Sequence, residues 1–191
     1  MDHQLLQESV RGLRTPDYGK VQRTGDSYMA TQIWAERLIK ICLTIYRKIQ
    51  RLDQTARLLR DTIEFAVRRY HDYNFDYRKQ THYRDASIGS DETTGLVIEH
   101  VIPVRILIAG LLQNKLPIKL VLNPPICLIR KVQDNVLESS GLGDVTPDVW
   151  WFWQRYECIN NVKIVTNRGD VVDVATWNLG THCDYFNVFL D

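Results

Sequence analysis

Glycine and proline are absent from one long stretch: between Asp26 and Ile88 the chain has neither. Nothing there interrupts a helix, so the usual markers of short strands and tight turns are excluded from a third of the molecule. Cysteine is scarce and scattered. Cys42, Cys127, Cys158 and Cys183 lie far apart with no C-x-x-C pair, which excludes a zinc ribbon or knuckle and argues against a disulfide scaffold. Buried, reduced thiols are the expectation. No apolar run approaches the roughly 20 residues that a membrane span requires. Met1-Asp2-His3-Gln4 lacks the basic-then-apolar pattern of a signal peptide, so a cytoplasmic protein with no membrane partner is expected. Internal repeats and low-complexity tracts are also missing.

What is present is an ordinary globular composition in 191 residues, 45% hydrophobic and 25% charged, enough for one good core or two small subdomains. A net charge of +1 conceals an asymmetry. Residues 37–84 hold 12 basic against 5 acidic side chains, whereas residues 96–191 hold 8 against 10. Basic density confined to one segment suits a phosphate-binding face, and equally a solvated helix face.

Residues 1–27 read as a short helix, Gln4–Arg11, followed by an irregular arm carrying Arg14, Lys20 and Arg23. The glycine-free stretch then shows Leu38, Ile41, Ile45, Ile49, Leu52, Ala56, Leu59, Ile63, Ala66 and Tyr70 at steps of three and four. That is the helical period, close to the repeat of a helix–helix seam. Ser27 is a plausible N-cap. Either one helix runs from about Tyr28 to Tyr73, or two helices break near Arg51-Leu52-Asp53. An unbroken helix would span ~65–70 Å at 1.5 Å per residue, too long for a body this small. A helical hairpin, or a helix paired with a second copy of the chain, is expected.

The helical stretch ends in residues 68–84, where basic and aromatic residues interleave. Arg68, Arg69, Tyr73, Arg78, Lys79 and Arg84 are the candidate nucleic-acid contacts, since cations neutralise phosphates and aromatic faces stack on exposed bases. The bland alternative has the tyrosines packing the helix end and the charges solvated. His71 and His82 are expected to be solvated surface histidines.

Beyond a polar loop, Leu96–Val104 reads as a strand with Glu99 and His100 side by side in an otherwise apolar run. Burying a carboxylate beside an imidazole is costly unless a metal, a hydrogen-bond partner or a phosphate offsets it. Further on, Ile106–Leu112 suits a short helix, Ile126–Ile129 a buried strand, and Arg130–Ser140 a strand exit and helix whose C-terminal stop Gly141 and Gly143 suit. The aromatics of Trp150–Tyr156 are expected in the core. Val162–Thr166, Asn167–Asp170 and Val171–Ala175 predict a β-hairpin, and Tyr185–Leu190 a last strand. Asp173, His182 and Asp184 receive no role.

The order strand ending in Glu99-His100-Val101-Ile102-Pro103, connection, strand, helix resembles the HNH (ββα-metal) nucleases over about 40 residues, Leu96–Leu137. The resemblance implies that His100 is the general base, Glu99 a metal ligand, and Asp134 or Asn135 a further ligand from the helix. Lys131 or Arg130 would neutralise the phosphate, with Arg155 a more distant candidate. The helix holds no histidine, so the implied ligand set is oxygen-rich and favours Mg²⁺ or Mn²⁺ over Zn²⁺.

The expectation is therefore an α+β protein. Residues 1–90 form a helical region for nucleic-acid contact and dimerisation, and 91–191 an α+β catalytic region with a ββα-metal-like motif and an antiparallel hairpin. The expected function is metal-dependent endonuclease action on DNA, restriction-like in a homodimer whose two-fold symmetry matches its target. The alternatives are a non-catalytic nucleic-acid-binding or phage-type regulatory protein, and an interaction module built on the long helix.

Overall fold

The computed structural model describes residues 25–48, 53–75 and 81–188. The predicted helix Gln4–Arg11 and its arm lie outside these residues, as do Arg78 and Lys79. The chain divides into two compact units, residues 1–74 and 75–191, so residues 75–90, assigned from sequence to the helical region, belong to the second unit.

The first unit is a helical hairpin. Helix α1 (Gly25–Lys48) and helix α2 (Asp53–Asn74) pack on one another, and α2 starts at the residue where the sequence allowed a break. Each helix is near 24 residues, or ~35 Å at 1.5 Å per residue, half the length of the unbroken alternative. Buried positions follow the helical period: Trp34, Leu38, Ile39 and Cys42 on α1, and Leu59, Ile63, Ala66 and Tyr70 on α2. Exposed ion pairs at i,i+4 line the outer faces, Lys40 with Glu36 and Arg68 with Glu64. Such pairs add only a few tenths of a kcal/mol each.

The second unit is built on a four-stranded mixed sheet in the order β2-β3-β1-β4. Its elements are β1 (Tyr83–Asp85), β2 (Leu96–His100), α3 (Val104–Leu112), α4 (Ile118–Leu122), β3 (Ile126–Arg130), α5 (Lys131–Ser139), a 3-10 turn (Phe152–Tyr156), β4 (Ile164–Thr166) and α6 (Leu179–Phe186). The apolar run Ile126–Ile129 forms a central strand with all four residues buried. It pairs in parallel with β1 and antiparallel with β2. Strand β2 lies at the sheet edge and is half-buried along its whole length. Helix α5 follows β3 without a linker and packs on both β2 and β3. Gly141 stops it as predicted, in the left-handed region at φ 73°, with the Leu142 N–H donating to the Leu137 carbonyl at 2.8 Å. The molecule is an α+β protein.

Three predicted elements differ. The strand expected over Leu96–Val104 ends at His100, because Pro103 fits the entry to a helix and Val104 opens α3. The hairpin keeps its turn, with Gly169 at φ 93°, but its second arm is reduced to a single bridge between Val165 and Val171. Asp173 draws the following residues into a turn by accepting from the Ala175 N–H and the Thr176 hydroxyl. Of the C-terminal strand expected over Tyr185–Leu190, Phe189 and Leu190 lie outside the described residues, and Tyr185 and Phe186 belong instead to α6, which Asn178 caps by accepting from the Thr181 N–H at 3.1 Å. Asn187, at φ 55°, ends it.

Candidate functional site

The ladder of β2 with β3 sets Glu99 opposite Cys127 and Ile98 opposite Leu128. Side chains alternate across a strand, so Glu99 and His100 leave β2 on opposite faces. Glu99 meets Arg155 from the 3-10 turn, with Nη1 at 2.6 Å from Oε1. The guanidinium is wholly buried. Nη1 also donates to the carbonyls of His100 at 2.8 Å and Val101 at 3.0 Å, while Nη2 donates to Gly143 at 3.0 Å and to Leu142. One arginine thus ties the end of the edge strand to the loop after α5. This is the partner that offsets the burial of Glu99. Burial nonetheless pushes the Glu99 carboxyl up to about 7; Arg155 pulls it down and the charge of Asp134 adds to the rise.

Asp134 stands in the first turn of α5, where its charge reaches Glu99. Both carboxylates are largely shielded, with 14% of the Asp134 side chain and 15% of Glu99 exposed. Lys131 Nζ lies 2.5 Å from Asp134 Oδ2, and the pairing raises the lysine further. Asn135 is exposed, about 100° further round the helix than Asp134, and does not share its direction. The start of α5 is held by Gln133, whose side chain accepts from the Arg130 N–H at 2.7 Å and donates to Asp85 on β1. Of the predicted metal ligands, Glu99 and Asp134 are both shielded and the charge of Asp134 is felt at Glu99, while Lys131, predicted to neutralise the phosphate, pairs with Asp134.

Among the described residues, no three His, Cys, Asp or Glu side chains converge as a metal cage. Two carboxylates do suit Mg²⁺, which keeps several waters and takes one or two protein carboxylates. They do not suit Zn²⁺, which favours nitrogen and sulfur donors. Glu99 and Asp134 would hold such an ion, with Arg155 and Lys131 beside them.

The predicted nucleic-acid contacts fall in both units. Arg68, Arg69 and Tyr73 lie on α2 of the first unit, where Arg68 pairs with Glu64 at 2.8 Å and Arg69 with Asp72 at 3.6 Å. Arg130 clamps the loop after β1: it pairs with Glu92 and donates to the Ser87 carbonyl at 2.9 Å. That engagement ties the loop after β1 to the join between β3 and α5. Arg84, on β1, is half-buried and donates to the Ile88 carbonyl at a long 3.4 Å.

Two histidines differ from expectation: His71 is buried and His82 half-buried, neither a solvated surface group. His82 and the unassigned His182 stand edge to face at 4.9 Å. The His182 ring bonds the Asn123 carbonyl at 3.4 Å, and His82 bonds the carbonyl of Pro124. With His182 Nε2 donating, its Nδ1 accepts from the Tyr83 hydroxyl at 2.8 Å, which in turn accepts from Trp177 Nε1 at 2.8 Å. Burial lowers His82 to about 4 and drives His182 well below its usual value. Both rings are neutral and hold the turn that feeds β3. No local spacing announces this network, since its contacts span some 40 to 100 residues of sequence. Arg155 carries a legible signal: a lone cation inside the aromatic run Trp150–Tyr156 needs a partner for the same reason that Glu99 does.

No known family model matches the chain, and neither the curated proteins nor the solved structures contain a match. No described helix is long and apolar enough to cross a membrane.

Proposed function

We propose that the protein is a metal-dependent endonuclease that hydrolyses phosphodiester bonds in DNA, with Glu99 and Asp134 as ligands of Mg²⁺ or Mn²⁺ and His100 as general base. The reading is supported by two shielded carboxylates, Glu99 on an edge strand and Asp134 on the helix after its partner strand, with the charge of Asp134 felt at Glu99. A bound divalent ion would stabilise charge on the phosphate and the leaving oxygen. Arg155 orients Glu99, Lys131 beside Asp134 neutralises the phosphate, and His100 takes a proton from the attacking water. Glu99 and His100 are neighbours on an edge strand, with their side chains on opposite faces. Glu99 must lose its proton to bind a cation, so affinity for Mn²⁺ rises with pH across neutrality. The free thiols Cys42, Cys127, Cys158 and Cys183 agree with a reducing cytoplasm. Exposed Ile33, Leu58 and Phe65 on the helical hairpin agree with a homodimer.

The second reading, a non-catalytic nucleic-acid-binding protein, is favoured by the same Arg155, which already satisfies Glu99 without an ion. Mn²⁺ binding followed by electron paramagnetic resonance separates the two. Stoichiometric binding that Glu99→Gln and Asp134→Asn each weaken supports the nuclease reading. Absence of binding at pH 8, with DNA affinity that falls as salt rises, supports the second.

A further inference from the structure

A cavity of about 490 Å³ opens in the second unit, between the loop after β1, the sheet and the turn at Asn167. That volume lies within the range of small-ligand pockets. Its sheet wall carries Arg84 and Leu128, which are paired in register on the face turned away from Glu99 and Arg155. Thr81, Ser90 and Asn167 add two hydroxyls and an amide, and Ile88 an apolar patch.

The charges around this cavity do not cancel. Glu92 also lines it, but Arg130 takes both of its oxygens and holds the carboxyl below its usual range. Among the described residues no carboxylate pairs with Arg84, and its hydrogen bonding amounts to the long contact with Ile88. A half-buried guanidinium offers five donors in a fixed fork suited to an oxyanion. One unmatched cation with three neutral hydrogen-bonding side chains matches a tetrahedral oxyanion, which has more acceptor positions than a carboxylate. The loop supplying Ile88, Ser90 and Glu92 is fixed: Asp85 accepts from the Ser87 N–H at 2.7 Å, and Arg130 holds Ser87 and Glu92.

We propose that this cavity binds a phosphorylated small molecule of mononucleotide size, with Arg84 on the phosphoryl group and Leu128 and Ile88 against its less polar part. The site is independent of Glu99 and Asp134, and the nuclease reading stands or falls without it.

The test is calorimetry on the full chain with AMP, inorganic phosphate, adenosine and a single-stranded oligonucleotide. AMP is expected to bind, phosphate more weakly, and adenosine not at all. Arg84→Gln should weaken AMP at least about tenfold, with Arg84→Lys in between because Lys lacks the fork. A second variant blocks the cavity without touching the cation. A Cβ at Gly89, which lines it, meets nothing within 4 Å, so Gly89→Phe should fold normally and lose AMP. An unchanged circular dichroism spectrum verifies folding of each variant. Equal binding of AMP to wild type and Arg84→Gln, or no binding of AMP and phosphate to wild type, overturns the proposal. Binding of the oligonucleotide alone overturns it too, and makes Arg84 a backbone contact.

Discussion

Replacing Arg155 by methionine removes one partner of a buried ion pair and leaves Glu99 shielded without its cation. Breaking such a pair costs ~3–5 kcal/mol. The guanidinium also serves four backbone carbonyls, His100, Val101, Leu142 and Gly143. At about 1 kcal/mol net per hydrogen bond these alone suggest ~4 kcal/mol, and because the two sums describe overlapping losses we expect ~4 kcal/mol in total. That is a large fraction of the ~5–15 kcal/mol that holds a domain together. The assay is urea unfolding followed by tryptophan fluorescence, with buried Trp153 reporting on the second unit. Arg155→Met should shift the midpoint strongly at pH 8 and less at pH 5, where Glu99 accepts a proton. Adding Glu99→Leu to Arg155→Met should recover at least ~1 kcal/mol, since the orphaned charge goes as well. A loss below ~1 kcal/mol, or strictly additive single and double variants, refutes the role given to the pair.

Four further predictions rest on named groups. Glu99 is raised to about 7 from an unfolded value of 4.5, so its stabilisation is complete below about 4.5 and is lost as pH rises through about 7; unfolding midpoints of Glu99→Gln against wild type should show that dependence flattened. His82 is lowered to about 4 from 6.5, so its contribution is complete above about 6.5 and is lost as pH falls through about 4; His82→Phe should unfold less steeply in acid. Gly141 sits at φ 73° with open space around it, so Gly141→Ala should cost ~1 kcal/mol from backbone strain alone. Gly89, equally open but without a positive φ, should accept alanine without loss in the same denaturation assay.

The helical hairpin was legible because its apolar residues repeat at helical steps and nothing breaks them. The β3–α5 join was legible because Ile126–Ile129 is continuous and Gly141 marks the stop. Helix α6 was not, since Tyr185-Phe186-Asn187-Val188 satisfies strand propensity while the deciding cap, Asn178, lies before that run. The reduced hairpin has the same origin: Asp173 offers the backbone a local turn in competition with strand pairing. For the site, the sequence singled out Glu99 as a group that needs a partner and Lys131–Asn135 as the piece it should meet. It could not choose between a metal and Arg155, 56 residues on, because that choice depends on which side of β2 the 3-10 turn packs.

Nicking of supercoiled plasmid by the purified protein with Mg²⁺ or Mn²⁺ reads the chemistry assigned to Glu99, Asp134 and His100. Wild type should cleave, EDTA should abolish the cleavage, and His100→Ala, Glu99→Gln and Asp134→Asn should each reduce it by about 10²-fold or more. Intact DNA after incubation of folded wild type with either metal would contradict that assignment, as would cleavage that persists in Glu99→Gln or in EDTA.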